Sequence, residues 1–327
     1  MVSGSRMAIK QIFAIEKKPH KGLFTVEWVI LGYLLMTLLF VLFTSTKMQN
    51  PDALIWGRVK IVIVTVAMWA VYRMMPCRFT VLCRIGVQMA LLPWWYPDTY
   101  ELNRILPNLD HLFAGFEQQL FGCQPALLFS QAISHPVIGE LMHLGYACYF
   151  PMIATVTLFY FIWRYAEFNR TTFVILTAFF LYYVIFVFLP VTGPQYYYAA
   201  VGLEDIAQGV FPNVNDYFAT HSEALTMPGD SNGFFYQCVA SAHEAGERPK
   251  AAFPSSHVGI STILILLAWH TKNRLLFFCL LPFYILLCLS TVYIRAHYAI
   301  DVIGGWVSAI VFYVLLQSFW TITKRHY

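Results

Sequence analysis

Charge is scarce in this chain. Asp, Glu, Lys and Arg make up 12% of its 327 residues, against about 25% in an ordinary soluble domain. With 59% hydrophobic residues beside so few charges, a soluble globular domain is excluded. The net charge is only +4, and no nucleic-acid partner is expected. Metal-ligand spacing is also missing. The seven cysteines are scattered, with no CxxC pair and no His/Cys cluster, so neither a metal nor another cofactor is expected. Cys83, Cys148, Cys279 and Cys288 fall in apolar runs and read as small buried residues. Cys123 and Cys238 fall in two long loops, where a bridge between them stays open. The N-terminal "MVSGSRMAIKQIFAIEKKPHKG" is basic but lacks a short apolar core followed by a small-residue cleavage site, so it reads as a retained cytosolic tail. No internal repeat or low-complexity linker divides the chain.

What is abundant is apolar length. A bilayer span needs about 20 mostly apolar residues, and several runs qualify. The sequence predicts an all-α, polytopic transmembrane helix bundle of about eight spans, roughly 28–46, 55–74, 79–95, 137–163, 171–191, 255–271, 275–293 and 299–321. Arg84 interrupts the third. An even count puts both termini on one side. The positive-inside rule puts that side in the cytosol: the two tails and the alternate connections hold 13 of the 21 Lys and Arg, including Arg6, Arg73, Arg164, Lys272 and Lys324. The single sequon, Asn169-Arg170-Thr171, then lies on the cytosolic side and is expected to be unmodified. Residues 1–100 read as the tail and three N-terminal spans, and 101–327 as a catalytic membrane domain.

Two loops on the non-cytosolic side are long. Residues 96–136 contain "LDHLFAGFEQQLFGCQPALLFSQAI", with apolar residues at helical spacing; this is either a helix lying in the membrane interface or an ordinary packed loop helix. Residues 192–254 end in "AAFPSSHVG", where His257 opens the sixth span. A helical hairpin then returns the chain to the same face at "STVYIRAHYAID". His257 and His297 should therefore lie at similar depth. His297 and Asp301 are spaced i, i+4 and share a helix face if the last span begins there.

Ser255, Ser256, Arg295, Lys250 and Arg248 fall at that same level. A lone membrane histidine is more often a packing residue, but ionisable groups at span edges are costly and usually functional. Together these groups suit phosphoryl transfer. Cations hold phosphate oxygens, one histidine attacks, a carboxylate orients it, and a second histidine moves the proton. A helix starting at Pro254–Ser255 also points free N–H groups at an anion.

"FPSSH", followed about forty residues later by "STVYIRAHYAID", resembles the PSGH and SRxxxxxHxxxD motifs of the type 2 phosphatidic acid phosphatase superfamily. Ser290, His297 and Asp301 match the third motif and His257 the second, with Ser256 in place of its glycine. The resemblance implies a six-helix core and a metal-free phosphohistidine mechanism, with His297 as nucleophile, Asp301 orienting it and His257 as general acid, then base. The arginine of "SR" is Thr291 here, and Arg295 stands one turn further along. Arg248-Pro249 has no lysine upstream to complete the family's first motif. These departures, "LPVTGPQYYY" (189–198) and "DHLFAGFEQQLFGCQP" are similar to the inositol phosphorylceramide synthase branch.

The implied activity is transfer of a phosphoinositol headgroup to a ceramide-like lipid or, if water resolves the intermediate, hydrolysis of a lipid phosphate. The partners are lipid substrates and the membrane, with the site facing periplasm or lumen and the oligomeric state open. A transporter or channel would place ionisable residues near mid-membrane, and a non-catalytic lipid binder would not need both histidines. Phosphate contacts are expected from Arg295, Lys250, Ser255 and Ser256. Substrate contacts are expected from Gln195 and Tyr196, where an aromatic belt and a Gly-Pro helix end are the plainer alternatives. Glu140, His143, Ser241 and His243 read as structural or loop residues.

Overall fold

A computed structural model describes residues 9–246, 248, 249 and 251–325. Lys250 and Arg6 lie outside the described residues. No β-strand occurs among the described residues. The helices are α1 (Ile9–Ile12), α2 (Thr25–Thr44), α3 (Pro51–Met74), α4 (Arg78–Ala90), α5 (Leu92–Asn103), α6 (Asp110–Phe121), α7 (Pro125–Ala132), α8 (Pro136–Ala147), α9 (Tyr149–Trp163), α10 (Tyr165–Phe188), α11 (Pro194–Val201), α12 (Leu203–Ala207), α13 (Phe234–Gly246), α14 (Ser256–His270), α15 (Arg274–Tyr293) and α16 (Ala299–Arg325).

Five of them, α2, α3, α10, α15 and α16, are long and apolar enough to cross a bilayer. Helices α8 and α9 form a sixth candidate, bent by 44°. Helix α14 is apolar but has 15 residues, which at 1.5 Å each span about 22 Å, short of a ~30 Å hydrocarbon core. The expected third span, 79–95, is not one helix. Helix α4 ends at Ala90 and α5 begins at Leu92. Arg84, which interrupts that stretch in the sequence, is fully buried against Glu27 of α2 as an ion pair, beneath the Phe24 ring at 4.0 Å. A second buried pair joins Arg58 of α3 to Asp98 of α5 at 3.0 Å. Such charges are tolerated inside the bundle only because each is paired.

Helix α10 is the most enclosed of the five candidate spans, with 78% of its apolar window buried. It packs against α2, α5, α9, α14 and α16. Large apolar residues such as Trp28, Phe43, Trp56 and Ile63 face outward instead, which in an apolar multi-helix protein is the surface offered to lipid.

The 96–136 region is helical throughout most of its length, and α6 is inverted relative to a soluble helix. Asp110, Ala114 and Glu117 are buried, while Leu112, Phe116 and Leu120 are more than half exposed. An outward apolar stripe is what an interfacial helix requires. The 192–254 region supplies α11, α12, a short 3₁₀ turn and α13. All seven cysteines are free thiols, so Cys123 and Cys238 do not pair.

The α14–α16 crossing sets the site. A Cβ on Gly305 would lie 2.8 Å from the Ser255 carbonyl oxygen, so the start of α14 can touch α16 only across a glycine. Gly193 has a similar task. It adopts φ +92°, and a Cβ there would lie 2.7 Å from the Ala296 carbonyl oxygen.

Candidate active site

His257 and His297 meet as the hairpin argument requires, with ring centroids 5.8 Å apart and the rings edge to face. His297 does not stand on α16. It lies in the turn between α15 and α16, two residues before Ala299. Its backbone N–H donates to the Thr291 carbonyl at 3.0 Å, and its Nδ1 lies 2.8 Å from the Ala252 carbonyl. A carbonyl only accepts, so Nδ1 carries the proton. Nε2 is then the nitrogen with a lone pair. Asp301 Oδ2 lies 3.4 Å from the same Nδ1 and accepts from the Tyr298 N–H at 2.8 Å. This is the reach-back half of a capping box on α16, so one carboxylate both starts the helix and stands behind the histidine. The main-chain partner of His297 is thus Ala252, with Asp301 second.

His257 is packed between two tyrosines. Its ring lies 4.6 Å from that of Tyr146 and 4.4 Å from that of Tyr149. Ser255 caps α14, its Oγ accepting from the Val258 N–H at 3.3 Å, and its own N–H donates to the Asp301 carbonyl at 3.0 Å. The first N–H groups of a helix have no intrahelical acceptor, so the positive end of α14 opens beside the two histidines. Ser256, buried at its start, lends its carbonyl to Tyr149.

Thr291 is fully buried, its hydroxyl donating to the Cys288 carbonyl at 3.0 Å. Arg295 turns on a left-handed backbone, φ 65°, and its Nη2 lies 3.4 Å from Ser130 Oγ. Its Nε is buried without a partner. Burial pulls its pKa down, opposed by the field of Tyr198, but a guanidinium stays charged at any physiological pH. The Gln195 N–H donates to the Arg295 carbonyl at 2.9 Å, so Gln195 fixes the arginine turn through its backbone. Tyr196 packs edge-on to Phe218 at 6.5 Å. Ser290 is buried, its hydroxyl donating to the Leu287 carbonyl. Glu140 accepts from the Phe235 and Tyr236 N–H groups at the start of α13.

Two buried acids of α6 were not singled out in the sequence. Asp110 accepts from the Gly193 N–H at 2.8 Å, the Thr192 hydroxyl at 2.9 Å and the Tyr298 hydroxyl at 3.0 Å. It ties the loop before α11 to the residue after His297. Burial raises its pKa against the pull of the Thr192, Asn108 and Gly193 donors. Glu117 Oε1 accepts from the Ala299 N–H at 2.6 Å and the Ile300 N–H at 3.3 Å, capping the helix that carries Asp301. Its pKa is pushed up to about 8, first by burial and then by the charge of Asp301. Glu117 Oε2 and Asp301 Oδ1 are both buried without a partner. The signal was present: two acids seven residues apart lie on one face of an otherwise apolar helix.

No group of His, Cys, Asp and Glu suited to a metal occurs among the described residues. A family model described as the PAP2 superfamily matches residues 111–315. Neither the curated proteins nor the solved structures give a match.

Proposed function

The chain belongs to the PAP2 superfamily, and on that premise we propose that it is an integral membrane lipid phosphotransferase working through a phosphohistidine. The observation that carries this reading is the pair itself. His297 has Nδ1 held by a carbonyl at 2.8 Å, which puts the lone pair on Nε2, with His257 5.8 Å away between centroids.

The Nε2 lone pair attacks phosphorus of a lipid phosphodiester. The bond from phosphorus to the lipid alcohol oxygen breaks, and its electron pair goes to that oxygen, which takes a proton from His257. Asp301 and the Ala252 carbonyl stabilise the imidazolium at Nδ1. In the second step an acceptor hydroxyl gives its proton to His257 and attacks phosphorus. The P–N bond breaks, and its pair returns to Nε2. A positioned acid–base group contributes typically 10²–10⁴-fold. Arg295 and the start of α14 offset the developing negative charge, with Ser255 and Ser256 shaping that helix end. Lys250, outside the described residues, is proposed as a second phosphate contact, and Gln195 and Tyr196 as a wall of the headgroup site.

The best-supported reaction is transfer of a phosphoinositol headgroup to a ceramide-like lipid at the non-cytosolic face, with both termini cytosolic and residues 101–327 forming the catalytic domain. The tyrosines packed against His257 support transfer over hydrolysis, because a transferase must keep water from the phosphoenzyme. If water is the acceptor, the same machinery is a lipid phosphate phosphatase. The purified protein, given phosphatidylinositol with and without ceramide, and separately phosphatidic acid, separates the two. A new phosphosphingolipid is the expected result. Release of free phosphate alone would establish the phosphatase, and no reaction with any of them would remove the reading.

A further inference from the structure

A cavity of about 150 Å³ touches His257 and Ser256 but not His297, Asp301 or Arg295. Leu92, Tyr149, Phe179 and Tyr183, all buried, form its deep wall. Two of the hydroxyls there are already spent on backbone: Tyr183 donates to the Leu92 carbonyl at 3.1 Å and Tyr149 to that of Ser256 at 3.5 Å. These tyrosines therefore offer ring rather than hydroxyl to the space. Pro93 and Phe150 at the rim are exposed and apolar.

We propose that this cavity holds the hydrocarbon chain of the lipid alcohol that leaves, and of the one that arrives, at His257. The inference rests on the phosphohistidine reading. In two successive in-line displacements, the leaving oxygen departs opposite Nε2 and the incoming oxygen approaches along the same line. Both exchange their proton with His257, so both alcohols carry their chains on the His257 side. The apolar wall suits a chain, and among the described residues no Lys or Arg lines the cavity to hold a charged headgroup. The apolar rim lets a chain slide in from the bilayer without crossing water.

The test uses the full chain in phosphatidylcholine nanodiscs with a 12-carbon 1-alkanol bearing a mid-chain diazirine. After illumination, label is mapped by peptide mass spectrometry. Wild type and His297→Ala should both be labelled on Phe150, Phe179 or Tyr183. Gly246→Leu places a side chain in the cavity, and among the described residues its Cβ meets only Pro97 Cγ at 3.9 Å, so the fold should accept it. Labelling there should fall at least fivefold, and likewise in Ala242→Phe. With unlabelled 1-alkanols as acceptors, transfer should peak at the chain length that fills the cavity, and Gly246→Leu should shorten the preferred chain. Wild-type label spread over Leu35 and Trp56 without enrichment at the cavity overturns the proposal, as does an unchanged chain-length profile in both variants. Phosphoenzyme formed without cavity label refutes the cavity alone. Cavity label without any phosphoenzyme refutes the catalytic reading alone.

Discussion

Replacing Glu117 with glutamine should change how stability depends on pH. In the wild type the folded-state pKa of Glu117 is raised from 4.5 to about 8. The folded state therefore holds a proton that the unfolded state has released. Stability is full below pH ~4.5 and is lost as pH rises towards 8, at about 1.4 kcal/mol per pH unit. Asp301 is the charge that acts on Glu117 after burial, and Tyr198 shares its field; both residues are kept in the variant. The substituted glutamine keeps an oxygen for the Ala299 and Ile300 N–H groups. Between pH 5.5 and 7.5 the wild type should lose about 3 kcal/mol relative to Glu117→Gln, which is roughly 4 °C in Tm. Scanning fluorimetry of both proteins in one detergent, across that range, measures it. Parallel Tm curves would refute the claim that Glu117 is protonated in the folded state. Glu117→Ala is the contrast: the Ala299 and Ile300 N–H groups lose their acceptor, at about 1–3 kcal/mol each, so its Tm should lie below that of Glu117→Gln at every pH.

Gly305→Val should separate α14 from α16, since even a Cβ lies 2.8 Å from the Ser255 carbonyl and 3.1 Å from Val258 Cβ; activity should be lost together with thermal stability, and a stable, active variant would contradict the crossing. Arg84→Met leaves Glu27 buried and unpaired, so it should cost about 3–5 kcal/mol, whereas the double change Glu27→Gln with Arg84→Met should recover most of it; Tm of the three proteins decides. Cys238 is exposed on α13, so in a variant with the other six cysteines replaced, a membrane-impermeant maleimide should label it from the non-cytosolic side of intact cells, and labelling only after lysis would reverse the topology.

The histidine pair was legible because it depends on a simple count. One apolar helix down and one back return the chain to the same level, whatever the details of packing. The buried charges were legible only as anomalies. Arg84 stood out in its span, but its partner Glu27 lies 57 positions away, and nothing local names it. Glu117 and Asp110 sat in plain view in a stretch whose apolar residues formed one face, read either as an interfacial helix or as a packed loop helix. The structure turns that face outward, which is where lipid reverses the rule learned from soluble helices. The hydrogen bond from His297 to Ala252 had no sequence signal, because any residue supplies a carbonyl. The i, i+4 spacing of His297 and Asp301 correctly implied proximity, though the histidine stands in a turn rather than on the helix.

The central claim is that His297 carries the phosphoryl group. Donor labelled at phosphorus, mixed with purified protein and quenched within a turnover, should leave an acid-labile, base-stable label on the peptide containing His297. The label should be absent from His297→Ala, and it should build up in a His257 variant offered a donor with a good leaving group. Label that persists in His297→Ala, or maps to another residue, would contradict the account.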